Sequence, residues 1–229
     1  MTLADTAKRI LDVMVAALML LAALPLILVS AVAAGVSLRA WPFFWHYRVG
    51  RGGELFRLIK LRTLPPATPH YANKYQISEL PIPRLCLALR RFHIDELPQL
   101  LLVITGRMSL VGPRPEMPPL HAALEPAFAA ARTSVRPGCT GLWQVSNHCQ
   151  ELIPEHPEFD MVYLQHRSLR LDVWIAWHTV TQMLVPARRR RLVTAAQVPQ
   201  WAKRVVPLPV SRHITVDEVA LRSADAASA

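Results

Sequence analysis

Hydrophobic positions fall into one long run and several short periodic stretches divided by proline or glycine. The run from Val13 to Leu38 holds 26 residues without a charge. As a straight helix it would be ~39 Å long, against ~30 Å for a bilayer's hydrocarbon core. Pro25, near its middle, removes a backbone hydrogen bond and crowds the preceding turn, so a kink or break is expected there. Basic residues flank both ends, Lys8 and Arg9 before and Arg39, Arg48 and Arg51 after. A straight span must place one basic flank outside, whereas a helix that bends at Pro25 and returns keeps both on the cytoplasmic side. Both topologies stay open on this pattern. Ala31-Val32-Ala33 resembles a signal-peptidase site, but the apolar stretch is longer than a usual h-region.

Beyond the run, Trp41, Phe43, Phe44, Trp45 and Tyr47 form an aromatic cluster suited to the headgroup level. Gly50-Arg51-Gly52-Gly53 signals a turn, and Leu55 to Arg62 reads as a short strand. Residues 65–83 read as a loop, and Leu85–Phe92 as a short basic helix. A further helix is expected from Asp95 to about Gly106, with Pro98 tolerated in its first turn. Residues 116–132 read as one Ala-rich helix. Leu169–Leu184 reads as an amphipathic helix carrying Trp174 and Trp177, stopped by Pro186. The basic block Arg188–Arg191 then opens a tail without clear periodicity, for which contact with a membrane surface is the favoured expectation.

Composition narrows the class. Hydrophobic residues make up 52% of the chain and charged ones 18%, which favours membrane association. The net charge of +10 calls for anionic partners: phosphorylated substrates, acidic lipid or nucleic acid. Aromatic and basic residues do not interleave as in nucleic-acid-binding modules, so no nucleic-acid partner is expected. Cys86, Cys139 and Cys149 lack C-x-x-C spacing and read as reduced thiols.

Three blocks set charge against stiff backbone. In Arg90-Arg91-Phe92-His93-Ile94-Asp95-Glu96-Leu97-Pro98-Gln99, two acids follow two arginines at an expected helix start. One carboxylate can act as nucleophile toward a phosphoryl group and its neighbour can hold a divalent metal. The ordinary reading is first-turn acids stabilising a helix by ~0.3–1 kcal/mol. In Met108 to Glu116, Pro113 and Pro115 fix the backbone around Arg114 and lower the ordering cost of binding a phosphate. The ordinary reading is a rigid turn. In Arg136-Pro137-Gly138-Cys139-Thr140-Gly141-Leu142-Trp143-Gln144, paired glycines permit close approach to a ligand or unusual dihedrals. The ordinary reading is a connecting turn.

Together, Asp95 to Gln99, Met108 to Glu116 and Pro137-Gly138-x-Thr140-Gly141-x-x-Gln144 closely resemble the bacterial sugar transferase family, the monotopic polyprenyl-phosphate phosphoglycosyl transferases. Lys8-Arg9-x-x-Asp12, Phe56 with Lys60-Leu61-Arg62-Thr63, and Ser168-x-x-x-Asp172 with Thr179 add to the match, which covers roughly residues 8–185. The resemblance implies a re-entrant helix broken at Pro25. It implies transfer of a sugar-1-phosphate from a UDP-sugar to polyprenyl (undecaprenyl) phosphate, releasing UMP, through an aspartyl phosphosugar on Asp95. Glu96 would bind Mg²⁺, and Arg90 and Arg114 match positions expected to contact phosphate or nucleotide. Substrate contacts from Lys60, Arg62 and Arg136 are inferred from charge alone.

The expected architecture is α+β and mostly helical. A re-entrant membrane helix (1–40) precedes a compact cytoplasmic catalytic domain with amphipathic interfacial helices (41–186) and a basic tail (187–229), all at the bacterial inner membrane. A homodimer is compatible with the sequence. Phe92 and His93 stand where the family has small hydroxyl residues, Arg107 where it has an acid, and Asn147-His148 where it has Gly-Arg; the usual Asp-x-Arg-x-Thr before Leu89 is missing. These departures leave a non-catalytic membrane scaffold of a glycan-assembly complex as the rival reading.

Overall fold

A computed structural model describes residues 3–69, 77, 80–149, 151–184, 193 and 198–199. Pro186, the Arg188–Arg191 block and much of the 65–83 loop lie outside them. The chain is mostly helical with a few short strands, divided into two compact units. One takes the described residues of 1–47 and 57–106, the other those of 48–56 and 107–229.

The first unit begins with helix α1, Leu3–Leu38. Its Leu-, Ala- and Met-rich sequence favours helix throughout. Pro25 sits inside it, and the expected break is not seen: helix continues on both sides, because neighbouring turns carry it past the one missing donor. The helix ends where Arg39 turns left-handed (φ 48°) and the Ala40 N–H reaches back to the Gly35 carbonyl at 3.1 Å. Mean hydropathy over its most apolar stretch is 2.7, and only 17% of that stretch is buried within the chain, so α1 is long and apolar enough to cross or enter a membrane. Leu18, Leu21, Val29, Val32 and Val36 are exposed.

Strands β1 (Phe43–Val49) and β2 (Leu55–Leu61) pair as a two-stranded ribbon. Helix α2 (Arg84–Arg91) follows, then a 3-10 helix (Ile94–Gln99) and helix α3 (Leu100–Ile104). The single α-helix expected from Asp95 is therefore a 3-10 turn running into a short α-helix. Pro98 has no N–H, and its ring crowds the carbonyl four residues earlier, which disfavours α-helical pairing there. Helix α1 packs on α2, the 3-10 helix and α3. Ile27 and Ala31 meet Leu61, with Leu97 and Phe43 packed beside them.

The second unit contains β3 (Ser109–Val111), α4 (Pro118–Ala122), α5 (Pro126–Thr133), β4 (Gly138–Thr140), α6 (Leu142–Val145), α7 (Pro157–His166) and α8 (Leu169–Leu184). The single helix expected over 116–132 is two helices. Glu125 precedes Pro126, is held extended (ψ 134°), and caps α5 through its carboxylate. Strands β3 and β4 are parallel, Ser109 opposite Gly138 and Val111 opposite Thr140. The core gathers Phe128, Leu142, Trp143, Phe159, Tyr163, Leu171 and Ile175. Val193 and Val198 also enter it, Val193 pairing with Ser146, so these described tail residues belong to this unit.

Candidate active site

In the first unit the site is built on the 3-10 helix. His93 precedes it in a left-handed conformation (φ 55°) and turns the chain sharply out of α2. Asp95 follows with 5% of its surface exposed. Burial pushes its carboxyl up to about 6; the Glu96 carboxylate adds to this, while Lys60 and Arg90 oppose it. Glu96 is more accessible and faces Lys60, with Nζ 2.5 Å from Oε1. Arg90 donates to the Thr63 hydroxyl at 3.3 Å. Lys60, Arg90, Asp95 and Glu96 thus lie on one face of this unit, with β2 supplying the lysine. Arg62 points elsewhere: it donates to the Trp41 carbonyl at 3.0 Å and its guanidinium lies over Phe44, tying β2 to the aromatic cluster.

Lys8-Arg9-x-x-Asp12 has a structural use. Arg9 donates to the Ile104 carbonyl at the end of α3, 3.1 Å away, and Lys8 pairs with Asp12. A cation on the last carbonyls of a helix satisfies both its unpaired acceptors and its dipole.

In the second unit, the Met108–Glu116 and Arg136–Gln144 blocks prove to be one construction. The Gly112 N–H donates to the Thr140 carbonyl and the Gly138 N–H to the Pro113 carbonyl, both at 2.9 Å. A Cβ on Gly138 would sit 2.1 Å from the Gly112 nitrogen, and one on Gly141 2.2 Å from the Gly112 oxygen. The close approach that these glycines permit is therefore between two backbones. Tyr163 turns its hydroxyl to the Val111 carbonyl and Asp172 Oδ1 (2.9 and 3.0 Å), and Thr140 meets Thr179 at 2.7 Å. Asp172 and Thr179 of the carboxy-terminal motif thereby fasten α8 to this pair of strands.

The loop bearing Arg114 is held by its carbonyls. Arg132 Nη2 donates to the Arg114 carbonyl at 2.7 Å, and Arg48 Nη1 to that of Pro115 at 3.3 Å. Arg132 is fixed in turn by buried Asp160, Nε to Oδ2 2.7 Å. Arg114, Pro113, Glu116, His121 and Pro137 line a shallow cleft with Val49 and Gly50. The sequence reading missed Arg48, Arg132 and Asp160 as supports. One signal was there: Asp160 lies within the apolar run Phe159 to Tyr163, and an acid buried there needs a partner.

The bacterial sugar transferase family model matches residues 3–186. The chain belongs to that family. This sugar transferase is 38% identical over 190 residues to the UDP-glucose:undecaprenyl-phosphate glucose-1-phosphate transferase of Caulobacter vibrioides, covering 79% of this chain and 70% of the relative. It is 34% identical to the exopolysaccharide production protein ExoY of Sinorhizobium fredii, covering 76% and 83%. It is 33% identical to the UDP-N-acetylgalactosamine-undecaprenyl-phosphate N-acetylgalactosaminephosphotransferase of Aeromonas hydrophila, covering 77% of this chain but 43% of that longer one.

Proposed function

We propose that the protein transfers a sugar-1-phosphate from a UDP-sugar to undecaprenyl phosphate, as the first membrane step of glycan or exopolysaccharide assembly. The observation that carries this is the placement of the dyad: the 3-10 helix bearing Asp95 and Glu96 packs directly on the apolar helix α1. Anchor and nucleophile are parts of one unit, so burying α1 in lipid fixes the height of Asp95 where a polyprenyl phosphate presents its headgroup.

The Asp95 carboxylate attacks the β-phosphorus of the UDP-sugar. The bond from that phosphorus to the bridging oxygen breaks, UMP leaves, and an aspartyl phosphosugar remains. An oxygen of undecaprenyl phosphate then attacks the same phosphorus, and the bond to Asp95 breaks. At neutral pH a carboxyl titrating near 6 is mostly ionised and only sparsely hydrated, which suits a nucleophile. Arg90 and Lys60 supply positive charge beside it, and Arg114, with Arg136, serves the phosphates or nucleotide from its proline-stiffened loop.

Glu96 fits a hard divalent cation: it is an oxygen donor, partly accessible, and already faces one cation, the Lys60 ammonium. Glu96 would hold Mg²⁺, which would supply positive charge to the substrate phosphates when bound. The exposed stripe Leu169, Val173, Trp177 and Val180 runs along one face of α8 and supports an interfacial position for that helix. We read α1 as re-entrant, bending at Pro25 while remaining helical on both sides of it, with the catalytic residues on the cytoplasmic face.

The test is UMP release from a panel of UDP-sugars with Mg²⁺ and undecaprenyl phosphate. Release with one sugar, absent in Asp95→Asn and after chelation, is expected. A folded, membrane-bound wild type that releases no UMP from any sugar would favour the scaffold reading instead.

A further inference from the structure

In the second unit, metal-binding side chains converge on the segment joining α6 to α7. His148, Glu151 and His156 each offer a ligand atom, and these atoms lie within 4.8 Å of one another. His148 Nδ1 is 3.0 Å from Glu151 Oε1, and His156 Nε2 faces Glu151 Oε2 closely. The two imidazole rings stack with centroids 3.7 Å apart.

Each ring has an outer partner on its other nitrogen. His156 Nδ1 lies 3.2 Å from Glu158 Oε1, the carboxylate–histidine relay that orients a ligating imidazole with its far nitrogen toward a metal. His148 Nε2 lies 3.0 Å from the Asn147 side-chain amide. With a metal on Nδ1, the Nε2–H would donate to that amide's oxygen, a 180° turn of the terminal group. Backbone hydrogen bonds hold His148 and Glu151 in place. The His148 N–H donates to buried Ser146 Oγ at 3.2 Å, and the Glu151 N–H to the His148 carbonyl at 2.9 Å.

We propose that His148, Glu151 and His156 form a site for a divalent transition metal of the zinc class. Two imidazoles and one carboxylate suit such ions rather than Mg²⁺ or Ca²⁺, which prefer all-oxygen shells. Three protein ligands leave a fourth tetrahedral position for water. The ion staples the segment between α6 and α7. It is separate in residues and in chemistry from the Glu96 cation, so either assignment stands or falls without the other.

The test is Zn²⁺ titration of the tag-free full-length protein in detergent, with millimolar Mg²⁺ present to fill hard-oxygen sites, and Co²⁺ absorption as a second readout. One Zn²⁺ per chain is expected, with a Co²⁺ spectrum of nitrogen and oxygen ligation lacking thiolate charge transfer. Binding should vanish in His148→Ala/His156→Ala. It should weaken tenfold or more in Glu158→Gln, whose unchanged circular dichroism would separate this loss from misfolding. Cys149→Ser should bind normally. Absence of binding by wild type, unchanged stoichiometry in the double variant, or loss in Cys149→Ser alone would each overturn the proposal.

Discussion

Lys60 Nζ lies 2.5 Å from Glu96 Oε1, joining strand β2 to the turn that carries Asp95. The lysine lowers the Asp95 titration that burial and Glu96 raise to about 6. In the metal-free protein, Lys60→Met should therefore move that titration above 6, read by infrared bands of isotope-labelled aspartate. UMP release should lose more at pH 6.5 than at pH 8, because a smaller fraction of Asp95 is then ionised. An unmoved titration would show that Lys60 does not act on Asp95.

Stability should move the opposite way from activity at Asp95. Its folded carboxyl titrates at about 6, above the ordinary 3.8. The folded state binds this proton more tightly than the unfolded one, so the group's contribution to stability is present below pH 3.8 and lost as pH rises through 6. Above pH 6, Asp95→Asn should stabilise the metal-free protein by on the order of 1–3 kcal/mol while abolishing turnover. Thermal melts at pH 5 and pH 8 check this, with a gain that is already present at pH 5 and larger at pH 8.

Breaking the buried Arg132–Asp160 pair should cost far more than a surface pair. Both side chains are almost wholly buried, at 4% and 1% exposure. Arg132→Met or Asp160→Asn should each destabilise by roughly 3–5 kcal/mol, since the partner is left buried without compensation. Arg132→Met/Asp160→Leu should be less damaging than the two single changes added together, as denaturant melts would show.

Glycine replacements should separate close packing from dihedral strain. Gly138→Ala drives a methyl into the Gly112 nitrogen, with backbone on both sides, and should prevent the folded protein from accumulating. Gly52 has φ 70° but nothing within 4 Å of where a methyl would sit, so Gly52→Ala should cost only about 1 kcal/mol. Expression level and melting temperature of the two variants give the comparison.

The re-entrant reading of α1 predicts that both its ends face the cytoplasm. In a cysteine-free background, Thr6→Cys and Ala40→Cys should both react with an impermeant thiol reagent in inverted membrane vesicles, and neither in right-side-out ones. Labelling from opposite sides would establish a straight span.

The sequence alone determined the apolar helix, the short strand Leu55–Leu61, helix Leu169–Leu184 and the acidic pair after two arginines. Each is written in local terms: hydrophobic periodicity, turn residues, and charge beside proline or glycine. It also carried the family, whose model spans residues 3–186. Tertiary structure decided what local pattern cannot encode. Whether Pro25 breaks a helix depends on how neighbouring turns absorb one lost bond, and whether Asp95 starts an α-helix or a 3-10 turn depends on packing around Pro98. That Gly112, Gly138 and Gly141 serve backbone contact rather than a ligand appears only once β3 lies against β4. Arg132 and Asp160, 28 positions apart, become partners only because folding buries both, and a buried charge must find its opposite.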